Sequence, residues 1–282
     1  MEGRVTKDLY WELFSRWCTV QSLDPFKCTP QQLADYLVHL FHDRNLATSS
    51  VGISRSAISS FANHFEGAPL GEHRQISDLL RSFRNCRPQT PRYSATWSID
   101  HLLEYWDRQP ENSILSPKLL TIKSVTLIAI SALSRADEVA SALLENHSCT
   151  EGKMSFLLAK SPKNHTRGPL PQLEVDALPD RPNVCPVVAA SEYILRTSQY
   201  RNSDDDLDRS RLFLSLDSRH CNVKAGTISR WIQNGMELAG IDTAVFKAHS
   251  IRGASVSRMS SKGASLKDIM RRGRVDGDLI RF

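Results

Sequence analysis

The chain has 282 residues, of which 36 are lysine or arginine and 31 are aspartate or glutamate, giving a formal net charge of +5. Hydrophobic residues at 40% and charged residues at 24% are ordinary globular values, which excludes a wholly disordered chain. No apolar run reaches the ~18 residues that a membrane span requires, and charged residues interrupt the N-terminal apolar positions, so neither a membrane protein nor a secretory leader is expected.

Aromatic and aliphatic residues at helical spacing from Tyr10 to Trp17 predict a first helix. A second helix is predicted after Thr29, because Thr29 and Gln32 form a capping-box pattern and Pro30 occupies the first helical position. Two further helices are predicted over residues 54–65 and 76–83. These elements predict a compact domain of four or five helices over residues 1–85.

A change in composition follows at residues 85–93, with the sequence NCRPQTPRY. Its two prolines disfavour helix, which predicts an extended linker over residues 86–97. Arg87 and Arg92 make this linker basic, as a connector between two domains that surround a duplex would be. An ordinary interdomain linker has the same composition, so this alternative stays open.

The rest of the chain, residues 98–282, predicts a mixed and mostly helical domain. Residues 153–159 alternate weakly and precede a turn-rich segment, which predicts a small antiparallel hairpin. A long apolar helix is predicted over residues 119–133; it has Lys123 at its middle and is expected to be buried. The helices are predicted over residues 99–107, 119–133, 187–197, 226–239, 254–261 and 266–272, with Gly240 ending the fourth.

The positive charge is concentrated at the end of the chain. Residues 247–282 contain nine basic and three acidic side chains, whereas residues 97–246 carry a net negative charge. Clustered cations favour a polyanionic partner, although a basic tail that only aids solubility is the alternative. The six cysteines include no C-x-x-C pair, which predicts reduced thiols inside a cell and argues against a zinc site or disulfide framework.

Several cations lie in apolar or turn-rich settings. Arg135 follows the long apolar helix, and Lys160 and Lys163 flank the hairpin turn. His249 and Arg252 are three residues apart and share one face if their segment is helical. Together these groups could hold one phosphate by charge-assisted, partly bidentate hydrogen bonds. Taken singly each is weak: H-x-x-R occurs by chance, and an arginine beside an acid at a helix end is a common ion pair.

In this order and setting the residues resemble the tyrosine recombinases, or phage-type integrases, and most closely those of eukaryotic mobile elements of the DIRS-like and Crypton-like kinds. The strongest matching segments are ALSRADEV at residues 132–139, FKAHSIRGAS at 246–255 and GASLKDI at 263–269. Weaker matches are TISRWI at 227–232, AGID at 239–242, Trp17-Cys18 and RSAI at 55–58. The resemblance thus covers nearly the whole chain.

The resemblance implies a mainly α fold: a helical, SAM-like core-binding domain and a mostly helical catalytic domain with a small antiparallel sheet, which together clamp double-stranded DNA. Arg135 and Arg252 would bind the non-bridging oxygens of the scissile phosphate. His249 would hold the same phosphate and assist proton transfer. Lys160, or alternatively Lys163, would protonate the leaving 5′ oxygen.

Further roles are implied by the same resemblance. Glu138 would orient the Arg135 segment, and no metal or other cofactor would be needed, because a tyrosine attacks the DNA and forms a phosphotyrosine link. Active relatives assemble as tetramers on DNA, and the location would be intracellular, or nuclear in a eukaryotic host. Additional DNA contacts are expected from Arg55, Arg87, Arg92, Lys247, Arg271 and Arg272.

One part of the pattern is missing. All six tyrosines precede His249, and Val275 stands where the family has histidine or tryptophan. Phe282 lies at or next to the expected tyrosine position, so the sequence is a piece ending before the tyrosine, a tyrosine-to-phenylalanine variant, or a decayed or repurposed copy. We therefore expect the chain as written not to cleave DNA. A non-catalytic DNA-binding protein and a helical interaction scaffold remain the alternatives.

Overall fold

The computed structural model describes residues 2–88, 96–150, 152–160, 172–201 and 208–273, with side chains described from residue 7 onward. Across these residues the chain is mostly helical and contains one three-stranded antiparallel sheet, which confirms the predicted fold class. The chain divides into two compact units, Met1–Arg92 and Tyr93–Phe282. No helix of the described ranges has the length and apolar character that crossing a membrane requires.

In the residues that the structure describes, the first unit contains four α-helices. The predicted capping box is present: the Thr29 side chain accepts a hydrogen bond from the Gln32 N–H, and the Gln32 side chain accepts one from the Thr29 N–H at 2.9 Å. The third helix begins six residues earlier than predicted, because its first turn is made of small polar residues without an apolar pattern. The helices are α1 (Glu2–Val20), α2 (Pro30–His42), α3 (Thr48–Phe61) and α4 (Arg74–Cys86).

Two buried cysteines face each other in this unit. The Sγ atoms of Cys18, in α1, and Cys28, before α2, are 3.8 Å apart. Burial raises the pKa of the Cys18 thiol to about 12 and also raises the pKa of the Cys28 thiol, so both groups stay protonated at neutral pH. Spacing in the sequence gave no indication of this contact, since ten residues separate the two thiols.

Arg87 belongs to the first unit instead of the predicted linker. Its guanidinium donates to the carbonyl oxygens of Phe41 at 2.8 Å and Leu46 at 3.3 Å, and its carbon atom lies 3.9 Å from the centre of the Phe41 ring. A cation at the C-terminal end of α2 is favoured by the free carbonyls there. The side chain therefore fastens the end of α4 to α2, a role that charge counting alone did not suggest.

The second unit surrounds one long helix, which packs against five other elements of the unit and lies at the centre of its core. Its elements are α5 (Ile99–Asp107), α6 (Pro117–Ser131), α7 (Ala136–Ser141), β1 (Ser148–Thr150), β2 (Lys153–Leu157), β3 (Gln172–Asp176), α8 (Pro186–Thr197), α9 (Ala225–Leu238), α10 (Ser250–Ser261) and α11 (Leu266–Gly273). Helix α6 contacts α7, α8, α9, α10 and β3. At Gly235 of α9 a Cβ atom would lie 2.5 Å from Thr126 Oγ1 of α6, so only glycine allows this close approach.

The sheet has the order β1-β2-β3, with both pairs antiparallel. Met154 pairs with Val175 and Phe156 with Leu173, and these four side chains are buried against the helices. Trp97, which the sequence assigned to the linker, is also buried in this unit, and its indole N–H donates to Ser250 Oγ at 2.9 Å. The second unit thus includes residues that precede its first helix.

Lys123 is fully buried at the middle of α6. Its Nζ has no hydrogen-bond partner among the described residues. Burial lowers the pKa of Lys123 to about 8, and the carboxylate of Asp107, itself paired with Arg181 at 2.7 Å, opposes this change in part. A lysine in this setting costs stability, because folding removes its ammonium from water without replacing the lost hydrogen bonds.

Replacing Lys123 with methionine is expected to raise the free energy of unfolding by about 2 kcal/mol at pH 7. The unfolded lysine, with a pKa near 10.5, binds more protons than the folded one between pH 8 and pH 10.5. The stability of the natural chain therefore rises with pH in this window, and the advantage of Lys123→Met shrinks. Urea unfolding at pH 7 and pH 9.5 measures both effects. Lys118→Met, at an exposed position of the same helix, is the control, and a destabilised Lys123→Met variant would contradict the prediction.

Candidate phosphate-binding site

Arg135 is positioned by a sharp turn after α6. Leu133 adopts a φ of +47°, and the Ser134 N–H donates to the Ala129 carbonyl at 3.1 Å, which ends the helix and reverses the chain. Arg135 then stands at the N-cap of α7. The buried Glu138 carboxylate accepts the Arg135 backbone N–H and one guanidinium N–H, each at 3.1 Å. Glu138 therefore holds the arginine by backbone and side chain together, while 35% of the arginine side chain stays exposed.

His249 and Arg252 lie at the start of α10. His249 is the N-cap residue and is exposed, and α10 begins at Ser250, four residues earlier than the sequence predicted. Ser250 is held by Trp97, and Ile251 is buried in the core of the unit. These two anchored residues fix the first turn, so that His249 and Arg252 are presented from a rigid helix end.

Hydrogen bonds to and from α11 link α10, which carries Arg252, to α6, which precedes Arg135. An Nη atom of Arg252 donates to the carbonyl oxygen of Gly273, the last residue of α11. The neighbouring Arg272 donates from Nη1 to the carbonyl oxygen of Ser131 at 3.0 Å. Ser131 is the last residue of α6, four positions before Arg135, and α10 itself packs against α6. The two arginine-bearing segments therefore meet around the end of α6.

Lys160 follows β2 and is exposed. The N–H of the preceding Ala159 donates to the carbonyl oxygen of Ser141 at 2.8 Å, so this part of the chain lies beside the end of α7. Arg135 stands at the other end of the same six-residue helix, a span of about 9 Å. The backbone thus brings Lys160 to the helix that Arg135 begins.

The other predicted DNA contacts have different surroundings. The Arg271 side chain is 70% exposed and forms a long ion pair of 3.9 Å with Asp268, whereas the Arg272 side chain is 27% exposed and pairs with Asp176. Lys247 donates from Nζ to the Thr243 carbonyl at 2.8 Å. Arg271 is therefore the more accessible of the two adjacent arginines.

Arg55 lies in the first unit, with its aliphatic stem over Gly71. A Cβ atom on Gly71 would be 2.5 Å from Arg55 Cδ, and the Arg55 Nε is buried. The predicted residues Arg92, Lys163, Val275 and Phe282 fall outside the described ranges.

Four of the five tyrosines that the structure describes have surroundings that indicate a structural role. Burial raises the pKa of Tyr36 and of Tyr193 to about 12, and it also raises the pKa of Tyr105. Tyr200 stacks on the His220 ring with 3.7 Å between centroids. A nucleophilic phenol requires activation through a nearby base or a lowered pKa, and these four environments provide the opposite or a stacking role.

Ser131 and Asp176 complete the surroundings of the site, and no sequence pattern singles out either residue. The Asp176 backbone N–H donates to Ser131 Oγ at 3.3 Å, and the Asp176 carboxylate pairs with Arg272. Within the described ranges, no group of three or more histidine, cysteine or acidic side chains has a geometry suited to a metal ion.

No known family model matches the sequence, and no curated protein matches it either. Solved structures do match. The XerH site-specific recombinase, bound to its palindromic difH substrate in a post-cleavage complex, is 12% identical with a TM-score of 0.56, over 88% of this chain and 65% of XerH. This chain thus spans slightly less than two thirds of the XerH chain.

Two further structures align over more of their own length. A lambda integrase dimer bound to a COC′ core site is 12% identical with a TM-score of 0.50, over 99% of this chain and 97% of that one. The Tn1549 transposon integrase, in complex with transposon right end DNA, is 11% identical with a TM-score of 0.51, over 87% and 76%. At these identities the similarity establishes a shared fold.

Proposed function

We propose that this chain, which has the fold of the tyrosine recombinases, binds double-stranded DNA and holds one backbone phosphate with Arg135, His249 and Arg252. The observation that carries the proposal is the meeting of two arginine-bearing segments at the end of α6, each fixed by buried neighbours. Guanidinium forks match the geometry of phosphate oxygens, and two of them offset its charge. The structural neighbours named above were solved with DNA bound.

In the recombinase form of the proposal, in which a tyrosine nucleophile is present, each side chain has a separate task. Arg135 and Arg252 bind the non-bridging oxygens and stabilise the charge that develops in a five-coordinate transition state. His249, exposed at the start of α10, contacts the same phosphate and moves a proton. Lys160 protonates a leaving 5′ oxygen, with Lys163 as the alternative, and Glu138 keeps Arg135 in place.

We propose that the chain as written binds DNA without cleaving it. Cleavage by this chemistry needs a tyrosine hydroxyl at the phosphate, and every tyrosine in the sequence precedes His249. The two candidate functions, a recombinase and a non-catalytic protein derived from one, therefore share the phosphate site and differ in the nucleophile. Descent from a DIRS-like or Crypton-like element, self-association on DNA and a nuclear location in a eukaryotic host belong to the same proposal.

Binding to a random-sequence duplex at two salt concentrations tests the proposal. If four phosphates are neutralised, the dissociation constant should rise about 100-fold between 50 mM and 200 mM salt. Fluorescence anisotropy of a labelled 30-base-pair duplex measures this change. An interaction scaffold predicts no binding even at 50 mM salt, and that result would refute the proposed function.

A further inference from the structure

Three residues far apart in the sequence form a closed network in the second unit. The Arg272 guanidinium pairs with the Asp176 carboxylate and donates to the Ser131 carbonyl at 3.0 Å. The Asp176 N–H donates in turn to the Ser131 hydroxyl at 3.3 Å. Each residue therefore contacts the other two, and the network fastens together the ends of α6, β3 and α11.

This network is one peptide bond away from the contact that Arg252 makes. Gly273, whose carbonyl accepts the Arg252 guanidinium, directly follows Arg272. Any displacement of the Arg272 backbone would move the Gly273 carbonyl, and the plane of the Arg252 guanidinium would change with it. Arg271 on the same helix has no comparable role, because its side chain is 70% exposed and its ion pair with Asp268 is long, at 3.9 Å.

We infer that Asp176 and Arg272 are positioning residues for Arg252, an inference that rests on the proposed function. Ser131 connects the same network to the end of the helix that precedes Arg135. The network thus fixes the backbone next to one phosphate-binding arginine relative to the helix that leads to the other. Bidentate recognition depends on this alignment, because a guanidinium fork that is displaced or rotated loses one of its two hydrogen bonds.

The charge of Asp176 makes the inference sharply testable. If the Asp176 carboxylate affects DNA binding only through its negative charge, Asp176→Asn removes the repulsion between this charge and the DNA phosphates and strengthens binding. If it positions Arg252, the same substitution weakens binding although the net charge becomes more positive. The two roles therefore predict changes of opposite sign.

The experiment measures duplex affinity at 50 mM salt for the natural chain and for Asp176→Asn, Arg272→Ala and Arg271→Ala. We expect Asp176→Asn and Arg272→Ala each to weaken binding about tenfold, as loss of a supporting residue does at other sites. Arg271→Ala, the matched control, should weaken it about threefold by loss of one exposed cation. Asp176→Glu, which keeps the carboxylate, should restore most of the affinity lost in Asp176→Asn.

Equal or tighter binding by Asp176→Asn would overturn the inference while leaving the proposed function intact. Absence of binding by the natural chain would refute the proposed function and the inference with it. Circular dichroism and thermal unfolding establish that each variant is folded. Arg272→Lys, which keeps the charge and loses the fork, replaces Arg272→Ala if that variant does not fold, and unchanged affinity in Arg272→Lys would also contradict the inference.

Discussion

Replacing Arg135 with alanine is expected to lower the free energy of unfolding by about 2 to 3 kcal/mol and to weaken duplex binding at least tenfold. The loss of stability follows from Glu138, whose side chain is only 2% exposed and would lose the cation and the guanidinium hydrogen bond beside it. The expected loss is at the lower end for a broken buried ion pair, because 35% of the arginine side chain is in contact with water. Urea unfolding and fluorescence anisotropy measure the two effects.

A second substitution separates the structural role of Arg135 from its role in binding. In Arg135→Ala/Glu138→Gln the neutral amide still accepts the backbone N–H of residue 135, so most of the lost stability should return. The affinity for DNA should not return, because no guanidinium is present to bind the phosphate. Recovery of both properties in the double variant would show that Arg135 acts only on stability. Glu138→Gln alone is the control for the effect of the amide.

The second large effect concerns covalent chemistry. Incubation with a nicked suicide duplex, which traps a phosphotyrosine intermediate, is expected to give no covalent protein–DNA adduct. Of the five described tyrosines, Tyr36, Tyr105 and Tyr193 have pKa values raised by burial, and Tyr200 is stacked on His220. None of these four side chains is prepared to attack a phosphate.

Denaturing gel electrophoresis of the labelled duplex measures the adduct directly. A shifted band that survives denaturant but disappears after protease treatment would contradict the prediction for the natural chain. The Phe282→Tyr variant tests one of the three explanations for the missing nucleophile, because an adduct formed only by this variant would identify position 282 as the nucleophile position. Arg252→Gln in the same variant should abolish that adduct.

Local patterns in the sequence were sufficient for the fold class and several boundaries. Helix α5 spans Ile99–Asp107 as predicted, and the Thr29 capping box forms as expected, because both depend on residues within one or two turns. Residues 249–252 were interpreted as opening a helix-like segment, but the helix itself was predicted only from residue 254, because His249 is not a residue that commonly caps a helix; α10 begins at Ser250. Gly240 has a φ of +78°, as its predicted position after α9 requires.

The contacts around the candidate site could be predicted only in part. Arg135, His249 and Arg252 were found because each lies in a short recognisable segment. The Arg272 network joins residues 96 and 141 positions away, and Arg87 reaches Phe41 over 46 positions, so no local pattern contains these contacts. Counting cations predicts Arg87 and Arg272 as DNA contacts, and it could not show that both donate to backbone carbonyls in the folded chain.

The central claim is that the two arginines held at the end of α6 bind DNA phosphates, and the salt dependence of duplex binding tests it most directly. A suitable control is Arg108→Gln/Lys118→Gln, which removes two exposed cations. Lys118 lies in the first turn of α6, about 20 Å from the last residue of that helix. The site variant is Arg135→Ala/Glu138→Gln/Arg252→Gln, which lowers the net charge by one unit against two for the control.

For the site variant, the slope of log affinity against log salt concentration is expected to become shallower by about 2, because two phosphate contacts are lost. The control variant should keep the slope of the natural chain within about 0.5. An unchanged slope and affinity in the site variant, or an equal loss in the control, would contradict the claim that Arg135 and Arg252 form a phosphate-binding site.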